Sequence, residues 1–289
     1  MQDITKGILA VITASTIWGF APVYYSLLQH VPPFELLSHR TLWSFLFFAI
    51  VLIYQKKLVE IWQALSGQKA LISMLTASVL IATNWFFFIY SVQTGRATEA
   101  SLGYFMMPLV AVVLGILIFK EHLSIGQWMS VALAALAVIL LTYGLAVPPW
   151  IALIISTSFA LYGVIKKDLT IRSTVAVTVE VLFLAPIALC ILGYYHGRIG
   201  GHFGGDALTT FLLILSGPLT ATPLILFSYA TRRVKMATVG ILQYINPSLQ
   251  FLCAISILSE PLTIWYAIAF PMIWIALILY TLISVHAKR

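Results

Sequence analysis

The sequence predicts an all-α polytopic membrane protein with ten transmembrane helices, arranged as two inverted five-helix repeats. Long apolar segments follow one another along almost the whole chain. The second half of the chain also repeats the pattern of the first half at a constant offset of 139 residues. The distribution of basic residues between the loops is consistent with this arrangement. The predicted repeats cover residues 1–144 and 145–289.

The composition is that of a membrane protein, since 61% of the 289 residues are hydrophobic and 9% are charged. A transmembrane helix needs about 20 apolar residues to cross about 30 Å of hydrocarbon. The apolar runs are continuous rather than alternating, which favours helices over a β-barrel. The ten predicted spans are 7–28, 34–54, 70–91, 98–119, 124–143, 149–166, 175–194, 208–229, 236–257 and 263–284.

The repeat is visible without any gap. If each repeat contains five spans, which is an odd number, the second repeat enters the membrane in the opposite direction. Inverted repeats around a site near the bilayer midplane are typical of secondary transporters. The matching positions are Tyr90, Arg96, Phe105, Pro108, Glu121, Leu123, Ser124 and Ile125 in the first half, and Tyr229, Lys235, Tyr244, Pro247, Glu260, Leu262, Thr263 and Ile264 in the second.

The net charge of +7 is explained by membrane topology. If the N-terminus is cytoplasmic, the cytoplasmic loops and ends hold thirteen Lys and Arg residues and the external loops hold two. Such a bias predicts that both termini are cytoplasmic. The positive charge therefore gives no reason to expect a nucleic-acid partner.

Two prolines at equivalent repeat positions, Pro108 and Pro247, fall near the middle of the fourth and ninth predicted spans. A proline inside a helix leaves unpaired the carbonyl four residues earlier, here that of Tyr104 or Gln243. Irregular backbone at mid-membrane depth indicates a binding cavity. A packing kink without a site is the alternative interpretation.

Aromatic and amide side chains accompany these prolines. Tyrosine and tryptophan combine a large apolar surface with one polar group, which suits an amphipathic organic substrate. An aromatic belt at the membrane surface is the alternative role for such residues. The predicted substrate-binding residues of this kind are Trp18, Asn84, Trp85, Tyr104, Gln243 and Tyr244.

Ionisable residues within the spans are also candidates, because a charge at the bilayer centre costs about 2.5–3.5 kcal/mol even on the most lenient scale. Arg40 and Glu180 lie at equivalent repeat positions. Inversion puts them at opposite depths, about 12 Å apart along the membrane normal, so no direct contact is expected. Both are predicted to bind substrate; the alternative for each is a purely structural role.

Arg40 is expected to anchor a substrate carboxylate or another electron-rich group, because arginine stays ionised at any working pH. Residues that titrate are better suited to proton coupling. The coupling candidates are Glu180, Glu99 and His39.

Two further acidic residues, Glu121 and Glu260, each precede a helix N-cap residue, Ser124 or Thr263, by three positions. Negative charge is favourable at a helix N-terminus. Both glutamates are therefore predicted to stabilise the start of the helix that follows them.

The longest external connection, 196–206, is glycine-rich and is predicted to be a solvated loop, although two histidines in it leave a metal site as the alternative. The connection lacks the lysine of a phosphate-binding loop. No cofactor and no metal site are predicted for the chain.

Several strings in the chain resemble the RarD-type branch of the EamA group, within the drug/metabolite transporter superfamily. The resemblance covers the whole chain and implies ten helices, inverted five-helix repeats, a central cavity and permeation of small molecules. The strings are Glu35-Leu-Leu-Ser-His-Arg-Thr-Leu-Trp43, Asn84-Trp85, Glu99-Ala-Ser-Leu-Gly-Tyr-Phe105 with Pro108, Lys120-Glu121, Tyr162-Gly163 with Lys166-Lys167, and Gln243-Tyr-Ile-Asn-Pro247.

The leading functional hypothesis is a secondary transporter that moves a small amphipathic metabolite or drug by alternating access, with possible proton coupling. A channel-like facilitator is the first alternative, but it would be expected to show a continuous polar stripe. A polytopic membrane enzyme is the second alternative; the chain has no His-Glu-x-x-His or Gly-x-Ser-x-Gly string.

Overall fold

The computed structural model describes residues 2–120, 123–146, 148–167, 171, 173–231, 233, 234, 239 and 242–286. Every regular element in this part of the chain is helical, which confirms the predicted all-α class. The helices are α1 Gln2–Gly19, α2 Ala21–Ser26, α3 Pro33–Tyr54, α4 Val59–Ala64, α5 Gln68–Gln93, α6 Ala97–Phe119, α7 Ile125–Leu145, α8 Trp150–Lys167, α9 Ser173–Tyr194 with a π-helical turn Tyr195–Ile199, α10 Ala207–Thr231, α11 Ile245–Ser256 and α12 Ile264–His286.

Seven helical segments in the described residues are long and apolar enough to cross a membrane, and two shorter apolar helices, Trp150–Lys166 and Ile264–Tyr280, accompany them. Of the ninth predicted span, 236–257, the structure describes α11 and a few preceding residues. Large apolar side chains such as Ile139 and Ile278, at 63% and 58% exposure, face outward. Apolar surfaces of this extent belong against lipid. The protein is therefore a multi-pass membrane protein.

The connections that follow the odd-numbered predicted spans meet at one face of the molecule, which we call the distal face. Side-chain and backbone contacts join these helix ends directly, which shows that they lie at the same face. The opposite face, where α1 begins, is called the proximal face. The joining contacts are those of Gln93 with Leu28 and Val31, His30 with Thr209, Glu99 with Ile151, Glu35 with His202, and Glu260 with Ala97 and Thr98.

The long helices pack in a pattern that mixes the two halves of the chain. Helix α6 packs on α8 and α11, and α1 packs on α10 and α11. Helix α3 packs on α9 and α10, and α5 packs on α8 and α9. Helix α7 packs mainly on α12, to the side of the others. This arrangement brings residues of both halves to the middle of the molecule.

The first predicted span is not one continuous helix, because α1 ends at Gly19 and α2 begins at Ala21. The cause is Pro22, which has no backbone N–H to offer the carbonyl of Trp18. That carbonyl instead accepts a hydrogen bond from Gln250 Nε2 at 3.3 Å. A side chain at Gly19 would place its Cβ 2.6 Å from the Cβ of Leu249, so glycine is needed for α1 to approach α11.

Candidate functional site

A cavity of about 910 Å³ lies between the two halves of the chain. Its volume is within the range of small-molecule sites, about 300–1,000 Å³. The predicted site residues that line it are Trp18, Arg40, Asn84, Trp85, Tyr104, Pro108, Gln243, Tyr244 and Pro247. The structure thus brings together residues that are up to 229 positions apart, from Trp18 to Pro247. The coupling candidates Glu180, Glu99 and His39 lie outside the lining.

The two prolines occupy different helical environments. Pro108 is the twelfth of the 23 residues of α6, and the helix continues through it. Pro247 is the third residue of α11, which begins immediately after Tyr244. The hydroxyl of Ser101 donates to the Pro247 carbonyl at 2.8 Å and so ties α6 to α11 beside the cavity. The helix that contains Pro247 thus starts two residues after Gln243, whereas α6 is continuous through Pro108, where a break was predicted.

Arg40 is held in the cavity wall by a hydroxyl and two aromatic rings. Its Nε donates to Thr220 Oγ1 at 2.9 Å. The guanidinium carbon lies 4.2 Å from the ring centroid of Trp85 and 5.7 Å from that of Tyr25. Contacts with aromatic faces stabilise a cation that is 7% exposed. Arg40 is not paired with Glu180, which instead forms an ion pair with Lys166.

Asn84 and Tyr104 hold three helices together at the cavity wall. The Asn84 amide donates to the Ile155 carbonyl at 3.0 Å, and the Tyr104 hydroxyl donates to Asn84 Oδ1 at 2.9 Å. The Asn84 side chain is fully buried. Most of its bonding capacity is therefore used between α5, α6 and α8, which gives it an evident structural role beside the predicted one.

Aromatic side chains supply much of the remaining wall. Tyr244 is stacked on Phe105, with ring centroids 6.3 Å apart and planes inclined by 13°. Trp18 contacts Phe227 at 6.2 Å, in a tilted geometry. Such rings provide broad apolar surfaces with polar tips. Gln243, at the start of the interruption before α11, is half-buried and also lines the cavity.

Glu180 belongs to a buried cluster with two residues that sequence reasoning missed. Its carboxylate accepts hydrogen bonds from Lys166 Nζ at 2.6 Å and from the Tyr162 hydroxyl at 2.9 Å. Lys166 and Tyr162 line the cavity, whereas Glu180 lies behind them and is fully buried. The topology analysis counted Lys166 as a loop charge. Lys166 lies near the end of α8, and Glu180 lies in α9, the next helix of the same hairpin. This proximity along the chain was the signal that could have identified the pair.

Gln250 is a second cavity residue that the sequence analysis did not single out. Its Nε2 donates to Asn246 Oδ1 at 2.9 Å as well as to the carbonyl freed by Pro22. The side chain is 2% exposed, and its Oε1 accepts no hydrogen bond in the described structure. A glutamine three residues after Pro247 could have been found as the next polar position on the same helix face.

Three buried or half-buried glutamates close the distal face, and we call their contacts the distal closure. Glu260 accepts the backbone N–H groups of Ala97 and Thr98 at 2.5 and 2.8 Å, at the start of α6. Glu99 accepts the N–H of Ile151 at 2.9 Å, at the start of α8. Each bond joins one half of the chain to the other. Both carboxylates satisfy helix N-termini whose amide groups would otherwise be unpaired.

The position of Glu260 corrects a prediction. It does not stabilise the helix that follows it, but the N-terminus of α6, which lies far away in sequence. The start of α12 is served by Thr263, whose hydroxyl accepts the N–H of Tyr266 at 3.5 Å. Ser124 forms the predicted N-cap of α7. Glu121 lies outside the described residues.

The third member of the distal closure is Glu35, which is fully buried. It accepts the backbone N–H of His202 at 2.7 Å and contacts the ring Nδ1 at 2.8 Å. The neighbouring Phe203 stacks on His39 with centroids 4.9 Å apart. The glycine-rich connection predicted to be a solvated loop is thus docked onto α3, and His39 faces this loop instead of the cavity.

The same connection is fixed at its other end by the start of α10. The backbone N–H of Thr209 donates to Asp206 Oδ2 at 2.8 Å. This hydrogen bond lowers the pKa of the exposed Asp206 carboxyl below its usual value, because it favours the charged form. Asp206 therefore acts as the N-cap of α10.

Comparison with known proteins identifies the family of this cavity-containing helical protein. A model of the EamA-like transporter family matches residues 5–143. The transporter YojE of Bacillus subtilis is 39% identical over 98% of this chain and 96% of its own. The chain belongs to the EamA family of transporters.

Other relatives align with this chain over almost its full length. The protein RarD of Escherichia coli is 32% identical and covers 98% of this chain and 96% of its own. The chloramphenicol-sensitive protein RarD of Pseudomonas aeruginosa is 27% identical over 95% of this chain and 93% of its own. A solved crystal structure with a TM-score of 0.64 covers 96% of this chain and 98% of its own at 16% identity, which supports the fold alone. The RarD resemblance predicted from the sequence is confirmed.

Proposed function

We propose that this EamA-family protein is a secondary transporter that moves a small amphipathic organic molecule across the bacterial cytoplasmic membrane by alternating access. The observation that carries the proposal is a cavity between the two halves that is closed on one side. The contacts of the distal closure join the two halves at the starts of α3, α6 and α8. The cavity itself extends to Lys166, the penultimate residue of α8 on the proximal side.

This one-sided cavity favours a transporter over a channel-like facilitator. A channel needs a continuous path, whereas here charge-assisted bonds at the distal face separate the cavity from that side. Each such bond contributes about 1.5–3 kcal/mol in mutational series. Several of them make a gate that opens through a concerted change of conformation. With both termini in the cytoplasm, as the charge bias predicts, this conformation faces inward.

The helix packing supports the proposed inverted repeats. At the offset of 139 residues, α1, α3, α5, α6 and α7 correspond to α8, α9, α10, α11 and α12. When both helices of one of the main packed pairs are replaced by their equivalents in the other repeat, the resulting pair is also packed in the structure. The pair α6 and α8 corresponds to α11 and α1, and the pair α3 and α10 corresponds to α9 and α5. The family model also ends at residue 143, beside the proposed repeat boundary at 144.

Among the coupling candidates, Glu180 has the best position for a proton-linked step. Protonation of its carboxylate would release Lys166, which lines the cavity. The protonation state of Glu180 would thereby affect the binding of substrate. Glu99 is instead bound to helix ends at the distal face, where it is suited to gating. We therefore assign proton coupling to Glu180 and Lys166.

The proposal is tested by a ligand-stabilisation screen on the purified protein, across amino acids, metabolites and amphenicols. Compounds that raise the melting temperature are then tested for counterflow in proteoliposomes. We expect the Tyr104→Ala and Tyr244→Ala variants to lose at least about 10-fold in exchange rate, because both rings form the cavity wall. The exposed ring of Tyr143 provides a matched control, Tyr143→Ala.

Two outcomes would contradict the proposal. If both cavity variants fold and exchange at the rate of the control, the site is elsewhere. If flux rises linearly with concentration, without saturation or counterflow, the channel-like alternative replaces the transporter.

A further inference from the structure

The charge of Arg40 is unmatched in the described part of the protein. Its guanidinium is bound by a threonine hydroxyl and flanked by aromatic rings, and none of the described carboxylates lies at ion-pair distance. Arginine does not deprotonate in proteins. The cavity wall therefore carries a permanent positive charge where a buried cation calls for an anionic partner.

The second cation of the lining is already neutralised. Lys166 pairs with Glu180 at 2.6 Å, and the carboxylate is behind the wall at 1% exposure. Among the described lining residues, Arg40 and Lys166 are the charged ones. The described part of the lining thus presents one uncompensated positive charge to whatever occupies the cavity.

A second unmet requirement comes from Gln250. Its Nε2 must face the Trp18 backbone carbonyl, since that group can only accept, and this fixes the orientation of the amide. Its Oε1 is then an acceptor without a donor, in a side chain that lines the cavity. Leaving a buried acceptor unsatisfied costs about 1–3 kcal/mol, which a ligand N–H or O–H group would recover.

We propose that the substrate is an organic monoanion that has a ring-containing apolar body and at least one hydrogen-bond donor. Arg40 binds the anionic group and Gln250 Oε1 accepts from the donor, while the aromatic wall covers the ring. This assignment rests on the proposed transport function and narrows its substrate class. A cation would be repelled by Arg40, a dianion would find one charge unpaired, and a neutral molecule would leave the guanidinium without its partner.

Four matched indoles test both requirements by equilibrium dialysis with the purified protein. Indoleacetate has the anion and the N–H donor, and its methyl ester loses only the charge. N-Methylindoleacetate loses only the donor, and tryptamine reverses the charge. We expect indoleacetate to bind about 10-fold more tightly than the ester and about 5-fold more tightly than N-methylindoleacetate, with tryptamine the weakest.

Variants assign each preference to its residue. Arg40→Gln should bind indoleacetate and its ester equally, and Gln250→Met should bind indoleacetate and N-methylindoleacetate equally. Arg40→Lys keeps the charge and should keep the preference for the anion. Lys56→Gln removes one positive charge from an exposed position in the loop after α3 and is the control that should leave all four affinities unchanged. If Arg40→Gln does not fold, the wild-type series and Arg40→Lys still decide.

The proposal is overturned if the wild-type protein binds the ester or tryptamine as tightly as indoleacetate, or binds none of the four. It is also overturned if Arg40→Gln folds and keeps the full anion preference. These results leave the transport function standing as long as a compound from the stabilisation screen shows counterflow. Absence of counterflow for every stabilising compound would remove the transport function itself.

Discussion

Asn84 at the cavity wall has a structural role that can be measured separately from any role in substrate binding. The amide ties α5 to α8 and accepts the Tyr104 hydroxyl. Replacing it by leucine should destabilise the protein by about 1–3 kcal/mol, because the Tyr104 hydroxyl loses its acceptor. Thermal unfolding measures this loss. Tyr104→Phe removes the other partner and keeps the ring, so Asn84→Leu/Tyr104→Phe should cost less than the sum of the single changes. Additive losses would show that the bond contributes nothing.

The cluster of Lys166, Tyr162 and Glu180 allows a similar separation at the proximal end of the cavity. Lys166→Met leaves the buried Glu180 charge without its partner, which costs about 3–5 kcal/mol in comparable buried pairs. Adding Glu180→Gln removes that charge, so the double variant should be more stable than Lys166→Met alone in unfolding experiments. The pair would be an incidental contact if the double variant were the less stable protein.

Glu180→Gln also tests coupling. If the carboxylate carries the proton, this variant should bind and exchange substrate but fail to concentrate it in proteoliposomes with a pH gradient. Glu60→Gln, in the short helix α4 and outside the cavity lining, is the control that should remain gradient-driven. Continued proton-driven uptake in Glu180→Gln would exclude this glutamate from coupling.

Many residues that line the cavity could be selected from the sequence, because charged residues and polar aromatic residues are uncommon within apolar spans. Arg40, Trp85 and Tyr104 were found in this way. Their partners were missed, since Thr220 and Tyr25 are ordinary residues in a helical span and only the fold brings them next to the guanidinium. The sequence does not tell which face of each helix meets the cavity, so Glu99 and His39, which lie outside the lining, were included among the coupling candidates.

The break between α1 and α2 is the element whose shape departs most from the sequence prediction. Pro22→Ala restores the missing N–H, so the Trp18 carbonyl can return to the helix ladder and Gln250 loses that acceptor. We expect unchanged or higher thermal stability together with a transport rate reduced by about 10-fold, because a continuous helix alters the cavity wall. Pro33→Ala, at the start of α3, is the proline control. Full transport by Pro22→Ala would make the break irrelevant to function.

The distal closure is the element that should set the direction in which the cavity opens. Glu260→Gln replaces a carboxylate that accepts from Ala97 and Thr98 by a weaker, neutral acceptor. The loss of about 1–2 kcal/mol at this gate should shift the population toward a distal-open form. Cysteines introduced at Thr98 or its neighbours should then react faster with a membrane-impermeant maleimide added from outside. Ser124→Ala, which removes a helix cap on the opposite side, is the control and should not change the labelling rate. An unchanged labelling rate in Glu260→Gln would argue against a gate.

At the scale of the whole molecule, helices and membrane class follow from hydropathy, which is a property of each segment alone. The packing of α6 on α8 and the docking of the glycine-rich connection onto Glu35 depend on contacts between distant segments, and the sequence analysis did not find them. The packing of α3 on α9 and of α7 on α12, which are equivalent helices at the offset of 139 residues, likewise depends on contacts between distant segments.

Transport by alternating access requires the distal face to open during each cycle. His30 and Thr209, which contact each other at 3.0 Å across the two halves, offer the most direct test. In a background without Cys190 and Cys253, the His30→Cys/Thr209→Cys variant is treated in proteoliposomes with a short bis-methanethiosulfonate cross-linker. We expect counterflow of a stabilising compound to stop on cross-linking and to return on reduction. Undiminished counterflow in fully cross-linked protein would contradict alternating access.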